Sequence, residues 1–521
     1  MRAKASAILT GLTREHVLFA GLVLFALYFS LADFLVRPAL WFDEGITIEI
    51  ARNFSLYGHL DVLSAPHVFS GLPYLVGTNG YPLTIPLALV FKVFGLGLLQ
   101  ARIFMLFWLC ATLIALYGVT KKLFGPPAAL SATALTVTFA SFYGNGLTAT
   151  GEMPALFFFI LGIWFLIGRK DYFWTGIFWG LAMASKPGVF LLLAHTTVLY
   201  VLLFDRERWF KKIFTAGLGF LPPVLLWIGL AFPLTLETFY SVIAYLLNPI
   251  DIPFITEFLR GLPVHTYEGI VVSNATTATE NVSANLRLLV TSSTLIYFTL
   301  LSALVVAGLY LGRAASAFRR EALGLLFVYG SLVVFFFVRG PGWFRYLFGV
   351  EVLIFVLLYP ALQELFSLIR GRLAKTWASG YVREWNLFAV IIVLGLFQLF
   401  QLYFLSDVPR STKPLEAIAY VQELMTADTH ATVGIYDAPA LAAFTDPERT
   451  YHISQPHIGY LPLGESPLLL PSPPDIIVVT TARLLVGEKE EAVLRTSYTL
   501  LADTGVRNYD IYMKAVSEGD E

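Results

Sequence analysis

Charge is what this chain has least of. Only 14% of its 521 residues are Asp, Glu, Lys or Arg, against 57% hydrophobic, whereas soluble domains carry about 25% charged residues. So few charges cannot cover the surface of the several soluble domains such a length would otherwise form. The mean hydropathy of +0.72 accompanies recurrent apolar runs of about 20 residues, the length a membrane span requires. Cysteine is nearly absent as well. The lone Cys110 lies inside an apolar run, so disulfides do not staple the fold. Nor is there a basic surplus: 35 Lys and Arg face 36 Asp and Glu, a formal net charge of −1, and no nucleic-acid footprint is visible.

What is present is a series of hydrophobic segments punctuated by basic clusters. The first segment, Val17 to Val36, follows Arg2, Lys4 and Arg14. It is too long for a signal-peptide core and lacks a small-residue cleavage site, so it reads as an uncleaved anchor. Basic clusters fall at Lys121-Lys122, Arg169-Lys170, Arg206 to Lys212, Arg313 to Arg320 and Arg370 to Lys375. The positive-inside rule assigns all of them to the cytoplasm. Spans are then expected near 101–120, 127–146, 153–168, 172–190, 191–204, 213–231, 288–311, 322–338, 346–366 and 385–405, eleven with the anchor. The expected fold is a polytopic α-helical membrane protein, N-terminus cytoplasmic, with a small extracytoplasmic α/β domain at the C-terminus. The expected division is a transmembrane domain over 1–406 and a soluble domain over 407–521.

One apolar segment resists this scheme. Residues 81–98, YPLTIPLALVFKVFGLGL, look apolar enough to span, yet counting them would put every later basic cluster outside. Pro82, Pro86 and Lys92 also weaken a spanning helix, so the segment is expected to lie at the outer interface. The outer face then holds 37–100, 145–152, 232–287, the turn 339–345 and the tail. The tail joins a helical stretch, Lys413 to Met425, to strand-like runs at 431–436 and 475–481 and in SYTLLAD and NYDIYMK, a mixture that suggests a small α/β domain.

Few polar residues on that face invite a chemical reading. Asp43 and Glu44 follow two aromatics in WFDEGITIEIARN, just beyond the first segment. In a helix beginning near Asp43, that residue shares a face with Thr47 and Ile50, while Glu44 and Glu49 diverge. One acid can act while the other holds the loop; alternatively, both merely stabilise a helix start. Glu152, in GEMPALFFF, stands at an outer boundary, where an unpaired acid costs on the order of a few kcal/mol. Capping of the helix at Pro154 is its plainer role. Lys186, in GLAMASKPGVF, lies within a span, where lysine is paired, functional or snorkelling to the interface. Arg339 and Arg345 flank an outer turn, RGPGWFRYLF, before Tyr346. Outer arginines run against the charge rule and call for a partner: a phosphate, bound through paired hydrogen bonds, or a lipid or loop carboxylate. His59, Asp61 and His67 match no metal-ligand spacing.

In their order along the chain these motifs resemble the membrane glycosyltransferases of GT-C architecture, in the branch of protein O-mannosyltransferases and the lipid A aminoarabinose transferase. The matching elements are the Asp-Glu pair after the first span, the acid opening GEMPALFFF, the GLAxxxKP-like stretch, the FRYLF pair and an exported C-terminal domain. The resemblance implies a polyprenyl-phosphate-linked sugar donor and a lipid, glycan or protein acceptor among membrane lipids. It implies Asp43 as base with Glu44 beside it, Glu152 lining the same outer cavity, and Lys186, Arg339 and Arg345 facing the carrier phosphate. A divalent metal ion serves some relatives, but no pattern here demands one. Where many relatives carry a tyrosine soon after the acidic pair, this chain has Gly45, Ile46 and Thr47, which bears on the acceptor. A transporter or flippase for lipid-linked sugars is the competing reading, with the charges as path residues. Against it, they gather on one face and no inverted repeat is visible.

Overall fold

The structure, a computed structural model, describes residues 14–71, 77–232, 235, 275–311, 317–340, 342–373, 384–404, 408–453, 466–481, 486–501 and 508–515. Residues 236–274, most of the expected outer segment 232–287, lie outside the described residues. Among the described residues, nine helices are long and apolar enough to cross a membrane. They are Arg14–Leu31, Leu98–Phe124, Glu152–Arg169, Pro187–Phe204, Trp209–Ala231, Ser293–Leu311, Arg320–Arg339, Phe344–Arg370 and Leu387–Phe404.

The other two expected spans are built from shorter helices. Residues 127–146 form Pro126–Val137 and Ala140–Gly146, interrupted at Thr138, whose hydroxyl turns back to Ala134 and Leu135 carbonyls and reaches Gln398 Oε1 at 2.7 Å. Residues 172–190 break after Ser185, because Pro187 lacks an N–H and drives the preceding residue out of helical geometry. Lys186 takes φ −148° and ψ 83° there. The segment at 81–98 forms a 14-residue helix, Tyr81–Phe94. At 1.5 Å per residue that is about 21 Å, short of a hydrocarbon core of about 30 Å.

The chain divides into two compact units. The first comprises 1–32, 106–146 and 151–407, the second 33–105, 147–150 and 408–521. In the first, helix Tyr172–Ser185 packs against both Glu152–Ile163 and Trp209–Ala231. Glycine permits the close approach: a Cβ at Gly176 would sit 2.0 Å from the Ala216 carbonyl oxygen, and one at Gly219 2.1 Å from that of Phe173. Small residues at helix contacts serve this purpose in membranes, where packing rather than water drives association. Trp179 fills the other side, fully buried, its indole N–H donating to the Phe159 carbonyl at 3.2 Å.

The second unit holds a helix, Phe42–Tyr57, a short hairpin of β1 (Leu63–Ala65) and β2 (Val68–Phe69), helix Tyr81–Phe94, and the tail. The tail opens with helix Lys413–Ala427, close to the expected Lys413 to Met425. Its strands are β3 (Val433–Tyr436), β4 (Thr450–Ile453), β5 (Ile476–Thr480), β6 (Tyr498–Leu500) and β7 (Tyr509–Lys514). They form one sheet in the order β4-β3-β5-β7-β6. The centre, β4-β3-β5, is parallel, whereas β7 runs antiparallel to β5 and β6. Tyr436, Ile453, Ile477, Val479 and Tyr512 make its core with Leu468, Leu494 and Tyr498. Strand β4, TYHI, is too short and polar to announce itself.

Candidate functional site

The polar residues singled out above fall into two clusters, one in each unit. In the second unit, Trp41 precedes the helix Phe42–Tyr57 in an extended conformation and makes no side-chain cap. Asp43 and Glu44 therefore occupy the first helical turn, where the helix dipole favours negative charge. Their surroundings differ. Asp43 is half-buried and its carbonyl accepts the Thr47 hydroxyl at 2.9 Å; that hydroxyl accepts the Asn79 amide at 2.7 Å. Asp43 and Thr47 thus share a face, as their spacing implies.

Glu44 is fully buried and fully committed. Its Oε2 accepts from Arg102 Nη2 at 2.8 Å and its Oε1 from the Ala149 N–H at 3.1 Å. Arg102 also donates to the Pro38 carbonyl at 2.9 Å. Burial pushes the Glu44 carboxyl above its ordinary range, against the pull of Arg102 and the Ala149 N–H. A carboxylate so bound orients a site rather than shuttling protons. Arg102 was not singled out in the sequence. Its signal is an arginine in the apolar run LLQARIFMLFWL, the same anomaly that marks Lys186.

A second set of polar groups lies farther along the same helix. Glu49 Oε2 sits 2.9 Å from His452 Nδ1 on β4, and its Oε1 accepts the Leu63 N–H at 3.0 Å. Arg52, 2% exposed, donates Nη1 to the carbonyls of Ala442, Ala443 and Thr445 at 2.8, 3.3 and 3.2 Å. Burial opposes the Glu49 charge, but His452, Arg52 and the Leu63 N–H outweigh it and hold the carboxyl below its ordinary range. No local spacing could link Glu49 to His452.

In the first unit, Glu152 opens its helix two residues before Pro154, a position where proline's missing N–H costs nothing. Its Oε1 lies 3.6 Å from Lys186 Nζ and 3.9 Å from Arg345 Nη1. Both carboxylate oxygens are buried and make no hydrogen bond among the described residues. Gly151 brings the two helix breaks together, since a Cβ there would stand 2.0 Å from the Ser185 carbonyl oxygen. Arg345 lies in the 3-10 turn Phe344–Leu347, its guanidinium 4.3 Å from the Trp343 ring centroid. Tyr346 is buried, its ring 5.2 Å from Phe336 and 5.7 Å from Trp343. Arg339 ends its own helix, half-exposed.

The weaker trio does not gather. Asp61 accepts from the Val62 and Gly71 N–H groups and the Ser70 hydroxyl, His59 stacks on Phe69, and His67 Nε2 lies 2.6 Å from Glu448. Among the described residues, no group of three or more His, Cys, Asp or Glu is placed to hold a metal ion.

Residues 84–230 match the dolichyl-phosphate-mannose-protein mannosyltransferase family. ArnT from Cupriavidus metallidurans bound to undecaprenyl phosphate is similar across 96% of this chain and 98% of that one, at 15% identity and a TM-score of 0.57. This chain is a membrane protein with the GT-C glycosyltransferase fold. ArnT in its apo state gives a TM-score of 0.53 at 14% identity over 95% and 98% of the two chains. The Archaeoglobus fulgidus oligosaccharyltransferase in its apo form gives 0.52 at 13% identity, over 90% of this chain and 69% of that one. No curated protein sequence matches the chain. The GT-C likeness thus extends over nearly the full length, while the family match spans the part containing Arg102, Glu152 and Lys186.

Proposed function

We propose that this GT-C protein transfers a sugar from a polyprenyl-phosphate-linked donor to a hydroxyl group of a lipid, glycan or protein acceptor, on the extracytoplasmic side of the membrane. The observation that carries the reading is the seat around Glu152. Two cations, Lys186 and Arg345, converge on one buried carboxylate oxygen at 3.6 and 3.9 Å in a unit otherwise made of apolar helices. Such a pair suits a phosphate headgroup whose tail is a long hydrocarbon. The binding of undecaprenyl phosphate by ArnT supports that choice of ligand. The positive-inside distribution of basic clusters supports the sidedness.

The chemistry needs few parts. Unlike a glycoside, whose hydrolysis also requires an acid for the leaving group, a sugar phosphate departs readily. The acceptor oxygen attacks the anomeric carbon, the bond from that carbon to the phosphate oxygen breaks, and the hydroxyl proton passes to a base. Asp43 is that base. Glu44, with both oxygens committed, fixes the first turn beside it. Lys186, Arg345 and Arg339 stabilise the charge growing on the departing polyprenyl phosphate, and Tyr346 packs against Trp343, over which Arg345 lies. Attack opposite the carrier inverts the anomeric configuration. Glu152 keeps the cations gathered when no phosphate is present.

Purified protein offered labelled polyprenyl-phosphate sugar and a membrane extract tests this. Label on a new acceptor, lost in Asp43→Ala at unchanged insertion and folding, is expected. Wild-type turnover by Asp43→Ala would overturn the base assignment; carrier crossing vesicles without new linkages would replace the transferase with a flippase.

A further inference from the structure

The stripe Gly45, Glu49, Arg52 runs at i, i+4 and i+7 along helix Phe42–Tyr57 and therefore forms one face. Every member of it meets the tail. A Cβ on Gly45 would stand 2.4 Å from the Ala440 backbone nitrogen, so the two backbones are in direct contact. Glu49 faces His452 at 2.9 Å, both side chains 1% exposed. Arg52 spends one nitrogen on three carbonyls at and just beyond the end of helix Pro439–Ala442. At about 100° per residue, Asp43 lies roughly 200° from Gly45, on the side away from this gripped face.

We propose that His452 is a positioning residue: by holding Glu49 it fixes the rotation of the helix that presents Asp43, which makes the C-terminal sheet part of the transferase's working apparatus. The proposal rests on the transferase reading for its consequence, though not for its geometry. Backbone contact at Gly45 sets how close the helix comes, and the Arg52 bonds fasten its far end. Between them, the contact of Glu49 with His452 resists turning about the helix axis from the tail side, as Glu44 with Arg102 does in the first turn. A rotation of about 20° moves a carboxylate some 5–6 Å off the axis by roughly 2 Å. A misplacement of about 1 Å is enough to cost about 100-fold in rate. The His452 ring is well suited to the task. It is anchored on β4, the edge strand of the five-stranded sheet, yet only 5% of the residue is exposed, and Nδ1 lies 2.9 Å from Glu49. Its Nε2 makes no hydrogen bond among the described residues, so none of them competes for the ring on that side.

The test uses the full-length protein in detergent and two readouts. Hydrogen exchange of the amides over 43–53 reports the helix itself; turnover with labelled donor reports the consequence. His452→Leu should exchange faster over that stretch, lower the melting temperature as loss of one partner of a buried pair does, and lower kcat on the order of 100-fold, with KM for the donor unchanged. His452→Asn, which returns a donor near the Nδ1 position, should recover most of both. Should His452→Leu fail to fold, Gly45→Ala probes the same face from its other end and is expected to give the same pair of changes. Wild-type exchange together with wild-type kcat in either folded variant overturns the proposal, as does a loss that falls on KM alone. If the wild-type protein transfers no sugar at all, the transferase reading fails, and exchange alone still decides whether His452 grips the helix.

Discussion

Glu44 and Arg102, both fully buried, face each other at 2.8 Å. Removing one partner from a buried pair leaves an uncompensated charge and costs about 3–5 kcal/mol, whereas exchanging both for apolar residues is often neutral. Arg102→Leu should therefore lower the melting temperature in detergent and abolish transfer. The double change Glu44→Leu with Arg102→Leu should regain most of the melting temperature but not the turnover. Recovery of both would reduce the pair to a structural support with no bearing on catalysis.

How much of this was legible before the fold is best judged residue by residue. The start of the Asp-Glu helix, the tail helix at Lys413 and strands β3, β5, β6 and β7 follow from apolar periodicity and turn residues, which are local properties. Lys186 stood out because a lysine in a span is costly and Pro187 marks a break. Arg102 carries the same cost, but its acid, Glu44, lies 58 residues away, beyond the reach of local spacing. The interruption at Thr138 has no proline or glycine to announce it, since a hydroxyl folding back on its own helix leaves the composition apolar. The partnership of Glu49 with His452, and the seat of Glu152 between Lys186 and Arg345, are tertiary facts. Each residue alone looks like a capping acid or a surface histidine.

Arg345 offers a test of the proposed phosphate seat. Its planar guanidinium can bind two phosphate oxygens at once and lies over Trp343 at 4.3 Å, whereas a lysine ammonium is a point charge without either geometry. Arg345→Lys should raise the apparent KM for the polyprenyl-phosphate donor by on the order of tenfold, about 1.4 kcal/mol of binding. Folding should be untouched, as judged by thermal melting. A KM at the wild-type value would remove Arg345 from the donor site.

Gly151 predicts a defect of position rather than of charge. A Cβ there would meet the Ser185 carbonyl oxygen at 2.0 Å and Lys186 Cβ at 3.2 Å. Backbone cannot yield as a flexible side chain can, so Gly151→Ala must push the two helix breaks apart and take Glu152 away from Lys186. The expected outcome is a drop in transfer comparable to that of Lys186→Met, with every charged residue still present. Donor binding measured directly, by isothermal titration with the polyprenyl phosphate alone, should weaken in parallel. Binding and turnover at wild-type levels would mean that the spacing of these two groups is not what the reaction uses.

The grip on the Asp-Glu helix has a pH signature whose sign follows from Glu49. Its carboxyl is held below the ordinary range, burial being outweighed by His452, Arg52 and the Leu63 N–H. An acid whose folded pKa is depressed adds stability that is complete above its unfolded value of about 4.3 and lost as pH falls through the folded value. Glu44 and Asp61 act in the opposite direction. Burial raises both, against hydrogen bonds and nearby positive charge, so their contributions grow as pH falls. The net slope of the wild-type protein mixes these signs, and the informative quantity is a difference. Thermal melting of wild type and Glu49→Gln should differ most near neutral pH and converge as pH drops below about 4.3. A gap that stays constant from pH 7 to pH 3 would show that the Glu49 charge does not hold the helix to β4.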